Sequence, residues 1–122
     1  MKATISSKVL HDMADTYAYI DQQEIGNLSI RINGNNFSIF LFHVNSSVRK
    51  SGVGRDLLNE MVSIIKQKGG TELTVFPQTE SHDGEPDVDV ETLYEIYQHL
   101  GFKFKDFNPL SRSHKMVLEI NS

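Results

Sequence analysis

The chain has 122 residues, 39% of them hydrophobic and 23% charged, with a formal net charge of −4. That length and balance describe one folded domain around a single core, and no run approaches the roughly 18 apolar residues of a membrane span, so neither a disordered tract nor a membrane partner is expected. Cysteine is absent, which excludes disulfides, thiolate zinc sites and a cysteine nucleophile, and makes a reducing cytoplasm the expected compartment.

Ala3 to Ile5 reads as a short strand. Behind it Val9, Leu10, Met13, Ala14, Tyr17 and Ile20 recur at helical spacing and predict one helix. From 26 to 33, Leu28, Ile30 and Ile32 alternate with Ser29 and Arg31, a strand with one wet face. Asn33-Gly34-Asn35-Asn36 tolerate positive φ and mark a hairpin. Residues 37–44, FSIFLFHV, are apolar at nearly every position and predict a central strand buried on both faces. After the loop 45–53, Leu57, Leu58, Met61, Ile64 and Ile65 form the apolar stripe of a helix that ends at Gly69-Gly70, with Lys66 and Lys68 in its last turn.

Glu72 to Phe76 is the next strand. Residues 80–91 then hold six acids (Glu80, Asp83, Glu85, Asp87, Asp89, Glu91) and no Lys or Arg, leaving 12 bases against 10 acids elsewhere. Such a run reads as a solvated loop or as an attractor for a cation, and the mildly basic remainder gives no reason to expect nucleic acid as a partner. Leu93, Ile96, Tyr97 and Leu100 form the stripe of a second helix at about 90–100, with Gly101 as its left-handed cap. Residues 102–107 and 114–120 read as antiparallel strands around a loop containing Pro109. The expected fold class is α/β in the α+β sense, a mixed and mostly antiparallel central sheet flanked by helices, in one domain over 1–122.

The loop between Val44 and the first of these helices is the most informative segment. A helix start exposes unpaired N–H groups and the positive end of the dipole. Glycines at 52 and 54 let a ligand approach the backbone, and Arg49, Lys50 and Arg55 add positive charge. The chemistry points to a phosphate, although a tight turn capping a helix would also use these residues. Neither G-x-G-x-x-G nor G-x-x-x-x-G-K-[ST] is present.

Arg49-x-x-Gly52-x-Gly54 resembles the coenzyme A loop of the GNAT N-acetyltransferases, Gln/Arg-x-x-Gly-x-Gly/Ala after a buried strand. Tyr97-Gln98-His99-Leu100-Gly101-Phe102 resembles the Tyr-x-x-x-Gly-Phe segment that ends a later helix in the same family. The resemblance covers about 25–120. Ser46 stands where many members have proline, Val90 and Leu93 where many have Asn and Ala, and the loop from Pro77 to Val90 is long. The N-terminal region, which shapes the acceptor site in that family, is short here.

The resemblance implies a GNAT-like sheet, acetyl-coenzyme A as cofactor, and direct acetyl transfer to a primary amine of a small molecule or protein. The backbone near Val44 would hold the thioester carbonyl or the pantetheine arm. Amides of Arg49, Lys50, Ser51, Gly52, Val53 and Gly54, with Arg55, would cradle the pyrophosphate, and Tyr97 would be the general acid beside the coenzyme sulfur. Tyr97 also lies on an apolar stripe, which leaves a plain packing role open, and Arg49 and Lys50 have solvated loop charges as their alternative. For the general base, His43, Glu80, His82 and water all remain candidates. No spacing among His11, His43, His82, His99 and His114 suggests a metal site. The acidic loop would suit a cationic acceptor such as a polyamine, an aminoglycoside or a lysine-bearing protein. Whether a second copy, in a homodimer, completes the acceptor site is left open. The competing reading is a GNAT-fold module that binds acetyl-coenzyme A or a protein partner without catalysis.

Overall fold

The computed structural model describes residues 3–45, 52–77, 90–104 and 115–120. Strands β1 (Thr4–Val9), β2 (Met13–Ile20), β3 (Gln23–Asn33) and β4 (Asn36–Val44) precede helix α1 (Val53–Gln67). Strand β5 (Glu72–Val75), helix α2 (Val90–His99), β6 (Lys103–Phe104) and β7 (Met116–Glu119) follow. They form one seven-stranded sheet in the order β1-β2-β3-β4-β5-β7-β6. Every neighbouring pair is antiparallel except β4 and β5, which are parallel. The expected mixed, mostly antiparallel sheet with helices is therefore what the chain forms. Among the described residues no helix is long and apolar enough to cross a membrane.

The helix expected over residues 9–20 does not form. In its place β1 and β2 make a hairpin, closed where the Leu10 N–H donates to the Met13 carbonyl at 2.8 Å. Ala14, Thr16 and Ala18, two residues apart, are each 0% exposed and pair with Ile30, Leu28 and Gly26 of β3. Asp15, Tyr17 and Tyr19 take the other face. Thr16, Tyr17, Tyr19 and Ile20 also favour extended backbone, because branched and aromatic side chains lose rotamer freedom in a helix. The apolar spacing fitted a helix only because residues from both faces of the strand were counted together.

Helix α1 lies on the face carrying Ala14, Thr16, Leu28 and Ile30. Its stripe of Val53, Leu57, Leu58, Met61, Ile64 and Ile65 is buried, and each such side chain contributes about 1.5–3 kcal/mol when removed from water. The Thr16 hydroxyl donates to the Leu57 carbonyl at 3.3 Å, so this buried polar group is satisfied by the helix itself. Gly26 makes the close approach possible: a Cβ there would stand 3.1 Å from Leu57 Cδ1 and 3.2 Å from the His43 carbonyl oxygen.

Strand β4 departs from the expectation of burial on both faces. Phe37 is buried, but Phe40 is 56% exposed and most of the rest is half-buried. The cause is a β-bulge. Ile30 pairs with Ile39 and Ser29 pairs with Leu41, which leaves Phe40 as an extra residue. The Arg31 guanidinium stacks over its ring at 4.3 Å on the face away from α1. The extra residue also resets the alternation. Phe37 lies against Gly70 just beyond α1, and Phe42 and Val44 lie against the start of α1, although 37 and 42 would face opposite ways in a regular strand.

The bulge follows the one paired position between β4 and β5, Ser38 with Thr74. Beyond it β5 ends at Val75 and β4 runs on to Val44. The carboxyl ends of the two parallel strands thus part, which is where ligands enter open mixed sheets. Of the strands expected over 102–107 and 114–120, the described residues include β6 and β7; 105–114 lie outside the described residues.

Candidate functional site

Helix α1 begins at Gly52, whose φ of +91° and ψ of 0° are left-handed, and no side chain among the described residues caps it. A residue with a Cβ would be strained there by roughly 1–2 kcal/mol. A Cβ at Gly52 would meet nothing within 4 Å, so glycine is needed for its backbone angle rather than for space. The first helical bond runs from the Asp56 N–H to the Gly52 carbonyl at 3.0 Å. The N–H groups of Val53, Gly54 and Arg55 therefore lie ahead of the helical ladder. Val53 is buried and anchors this end in the core.

Gly54 serves differently. A Cβ there would stand 3.6 Å from Phe42 Cζ and 3.8 Å from Val44 Cγ2, ordinary contact distances that leave a small space between helix and strand. Val44 is the last residue of β4. Asn45 donates its N–H to the Ile25 carbonyl at 2.8 Å, and Val44 pairs with Gly26. Backbone groups alternate edges along a strand, so the N–H and carbonyl of Val44 point away from β3, towards the parted side.

Tyr97 closes this corner. It is 7% exposed, with its ring 6.2 Å from Phe42 and 5.3 Å, edge to face, from Phe102. Its position is set by the way α2 ends. Gly101, at φ +107°, turns the chain back so that Leu100, Gly101 and Phe102 donate to the carbonyls of Ile96, Gln98 and Tyr97 at 3.1, 3.0 and 2.9 Å. The bond across five residues, the left-handed glycine and the ring contact between its two ends together make a Schellman cap. The Tyr-x-x-x-Gly-Phe spacing is thus the spacing of a helix terminus. Ile96, expected on the buried stripe, is 44% exposed, because Tyr97 rather than Ile96 faces the sheet.

Arg55 does not turn back over the start of its own helix. Its Nη2 donates to the His99 carbonyl at the end of α2, at 3.0 Å. Arg49, Lys50 and Ser51 lie outside the described residues, as do Glu80, His82 and the acidic run up to Asp89. Of the candidate bases only His43 can be placed. It sits cross-strand from Asn27 on the face away from Phe42 and Val44, with Nε2 3.3 Å from Asn45 Oδ1. On that same face burial, then the neighbouring Asp15 and Glu24 carboxylates, push the Tyr17 hydroxyl above its ordinary value.

The structure thus brings Val44, Gly52, Val53, Gly54 and Tyr97 to one corner. Sequence reasoning missed Phe42, the ring that touches both the Gly54 and the Tyr97 sides of it. Its only signal was its place two residues before Val44, and the bulge that turns it towards α1 has no mark in the sequence.

No family model and no curated protein matches the sequence. Solved structures match its fold. The PaiA N-acetyltransferase from Thermoplasma acidophilum, in complex with coenzyme A, superposes with a TM-score of 0.71 at 21% identity, over 88% of this chain and 61% of that one. An aminoglycoside 6′-N-acetyltransferase complexed with coenzyme A gives 0.72 at 18% identity, over 92% and 75%. Aminoglycoside 6′-acetyltransferase type Ii gives 0.71 at 21%, over 92% and 72%. The chain therefore spans about three fifths of the length of PaiA. It has the fold of the GNAT N-acetyltransferases.

Proposed function

We propose that the protein is an acetyl-coenzyme A-dependent N-acetyltransferase that moves the acetyl group directly to a primary amine of a small molecule or protein. One observation carries this reading: the uncapped start of α1, the parted end of β4 and the buried Tyr97 meet at Phe42. The donor set fits the cofactor. Amides ahead of the helical ladder suit a pyrophosphate, and the missing side chain at Gly54 leaves room beside Phe42 and Val44.

Bound there, acetyl-coenzyme A would supply the acetyl group, with its thiol as the leaving group. The N–H groups of Gly52, Val53 and Gly54, joined by Arg49, Lys50 and Ser51, would hold the phosphates, and the Val44 backbone would direct the pantetheine arm along the end of β4. Tyr97 would give its hydroxyl proton to the sulfur, with its ring, fixed by Phe42 and Phe102, limiting water there. The amine's proton leaves through a base or water on the acceptor side. The acceptor is a cationic amine drawn by the acidic run at 80–91, and the cysteine-free chain works in the cytoplasm.

The burial of Tyr97 and its service in the helix cap favour the second reading, a coenzyme A-binding module without catalysis. Calorimetry with acetyl-coenzyme A, followed by thiol release over a panel of amines, separates the two. Binding with amine-dependent release is the expected result. Binding without release, hydrolysis included, supports the module, and competition by ATP in place of any coenzyme A affinity overturns both.

A further inference from the structure

We infer that Arg55 is a positioning residue, whose guanidinium ties the start of α1 to the end of α2 and so fixes where the Tyr97 ring stands in the corner. The meaning of this for catalysis rests on the function proposed above; the tie itself does not. The Schellman cap accounts for the carbonyls of Ile96, Tyr97 and Gln98. The next carbonyl, His99, receives the Arg55 Nη2 donor at 3.0 Å. A cation at a helix C-terminus is doubly placed, because it meets both an outlying carbonyl and the negative end of the dipole.

Position in the chain makes this bond more than a local cap. Arg55 follows Gly54, which faces Phe42 and Val44, and His99 lies two residues after Tyr97, whose ring faces Phe42 from the other side. The two ends are 44 residues apart in sequence. Phe42 packs against both sides. Along α1 beyond Arg55, the side chains of Leu58 and Val62 face Leu100 and Leu118 across an open groove of about 270 Å³. Arg55 lines that groove and joins the two helix ends through the His99 carbonyl. Lysine, a single ammonium without a planar fork, would reproduce the charge but not the fixed geometry.

The test uses Arg55→Ala, Arg55→Lys, Tyr97→Phe and the double variant Arg55→Ala/Tyr97→Phe. Arg55 is exposed, so none of its variants empties the core. In the ligand-free protein, amide exchange at Leu100, Gly101 and Phe102 should quicken about tenfold in Arg55→Ala and less in Arg55→Lys. In the active protein kcat should fall about tenfold while the dissociation constant for acetyl-coenzyme A moves less than about threefold, and the double variant should be no slower than Tyr97→Phe alone. Unchanged exchange together with tenfold weaker binding would make Arg55 a phosphate ligand and overturn the inference. Faster exchange with unchanged kcat would overturn its positioning role. If the wild-type protein binds no coenzyme A, the proposed function fails and the exchange rates still decide whether the tie exists.

Discussion

The start of α1 and the end of α2 use the same device to opposite ends. Each has a left-handed glycine, Gly52 at φ +91° and Gly101 at φ +107°. At Gly101 the turn folds the chain back, so that the carbonyls of Ile96, Tyr97, Gln98 and His99 all receive donors. At Gly52 the turn precedes the helix, and no side chain among the described residues caps it. One terminus is closed by the fold, and the other has N–H groups ahead of its helical ladder. Two glycine motifs that look alike on paper are therefore of different kinds, and the proposed function gives only the second a role in binding.

The sharpest way to break this contrast is at Gly54. Gly54→Glu should weaken acetyl-coenzyme A binding about 100-fold, close to 3 kcal/mol, by placing a carboxylate where phosphates are expected. Gly54→Ala should change affinity only a few-fold, since its methyl finds ordinary contacts with Phe42 and Val44. Titration calorimetry reads both, and equal affinities for the two variants would remove the start of α1 from the binding site. Next in size, Tyr97→Phe keeps the ring and loses the hydroxyl. It should lower kcat by about 100-fold with cofactor affinity unchanged, and an undiminished rate would leave Tyr97 a purely structural residue.

Smaller effects separate the two glycines. Gly52→Ala and Gly101→Ala should each lose about 1–2 kcal/mol in denaturant unfolding, because both impose positive φ on a side chain. Only Gly52→Ala should also weaken the cofactor, and a matched loss of affinity in both would erase the distinction. The smallest effect lies on the far face of the sheet. Tyr17 holds its proton more tightly folded than unfolded, so its stabilising share is complete below its ordinary value of about 10 and is lost as the pH rises through the higher folded value. Tyr17→Phe should flatten the fall in stability above that pH.

What was legible in the sequence was local and periodic. The stripe from Leu57 to Ile65, the hairpin at Asn33 to Asn36 and the capping Gly101 each declare themselves within a few residues. What was hidden depends on partners far along the chain. Residues 9–20 fit a helix by spacing and became a hairpin because β3 offers a ladder for Ala14, Thr16 and Ala18. Burial on both faces of β4 failed at Phe40, where an extra residue meets no counterpart. Arg55 reads as a phosphate ligand by its neighbours in sequence, and its bond to the His99 carbonyl, 44 residues away, has no mark there. The loop and the tyrosine stand out in the sequence because their motifs are short. Phe42 between them does not, because its direction is set by the strand as a whole.

The extra residue at Phe40 makes the corner a matter of counting. Were Phe40 to pair with Ser29 in a regular ladder, everything after it would turn to the other face of the sheet. His43 would then turn under α1, and Phe42 and Val44 would turn out to water. The strand would keep nearly the same composition and hydrophobicity and lose the wall that joins Gly54 to Tyr97. The wall of the corner therefore depends on the register of β4 against β3 and not on the composition of the strand.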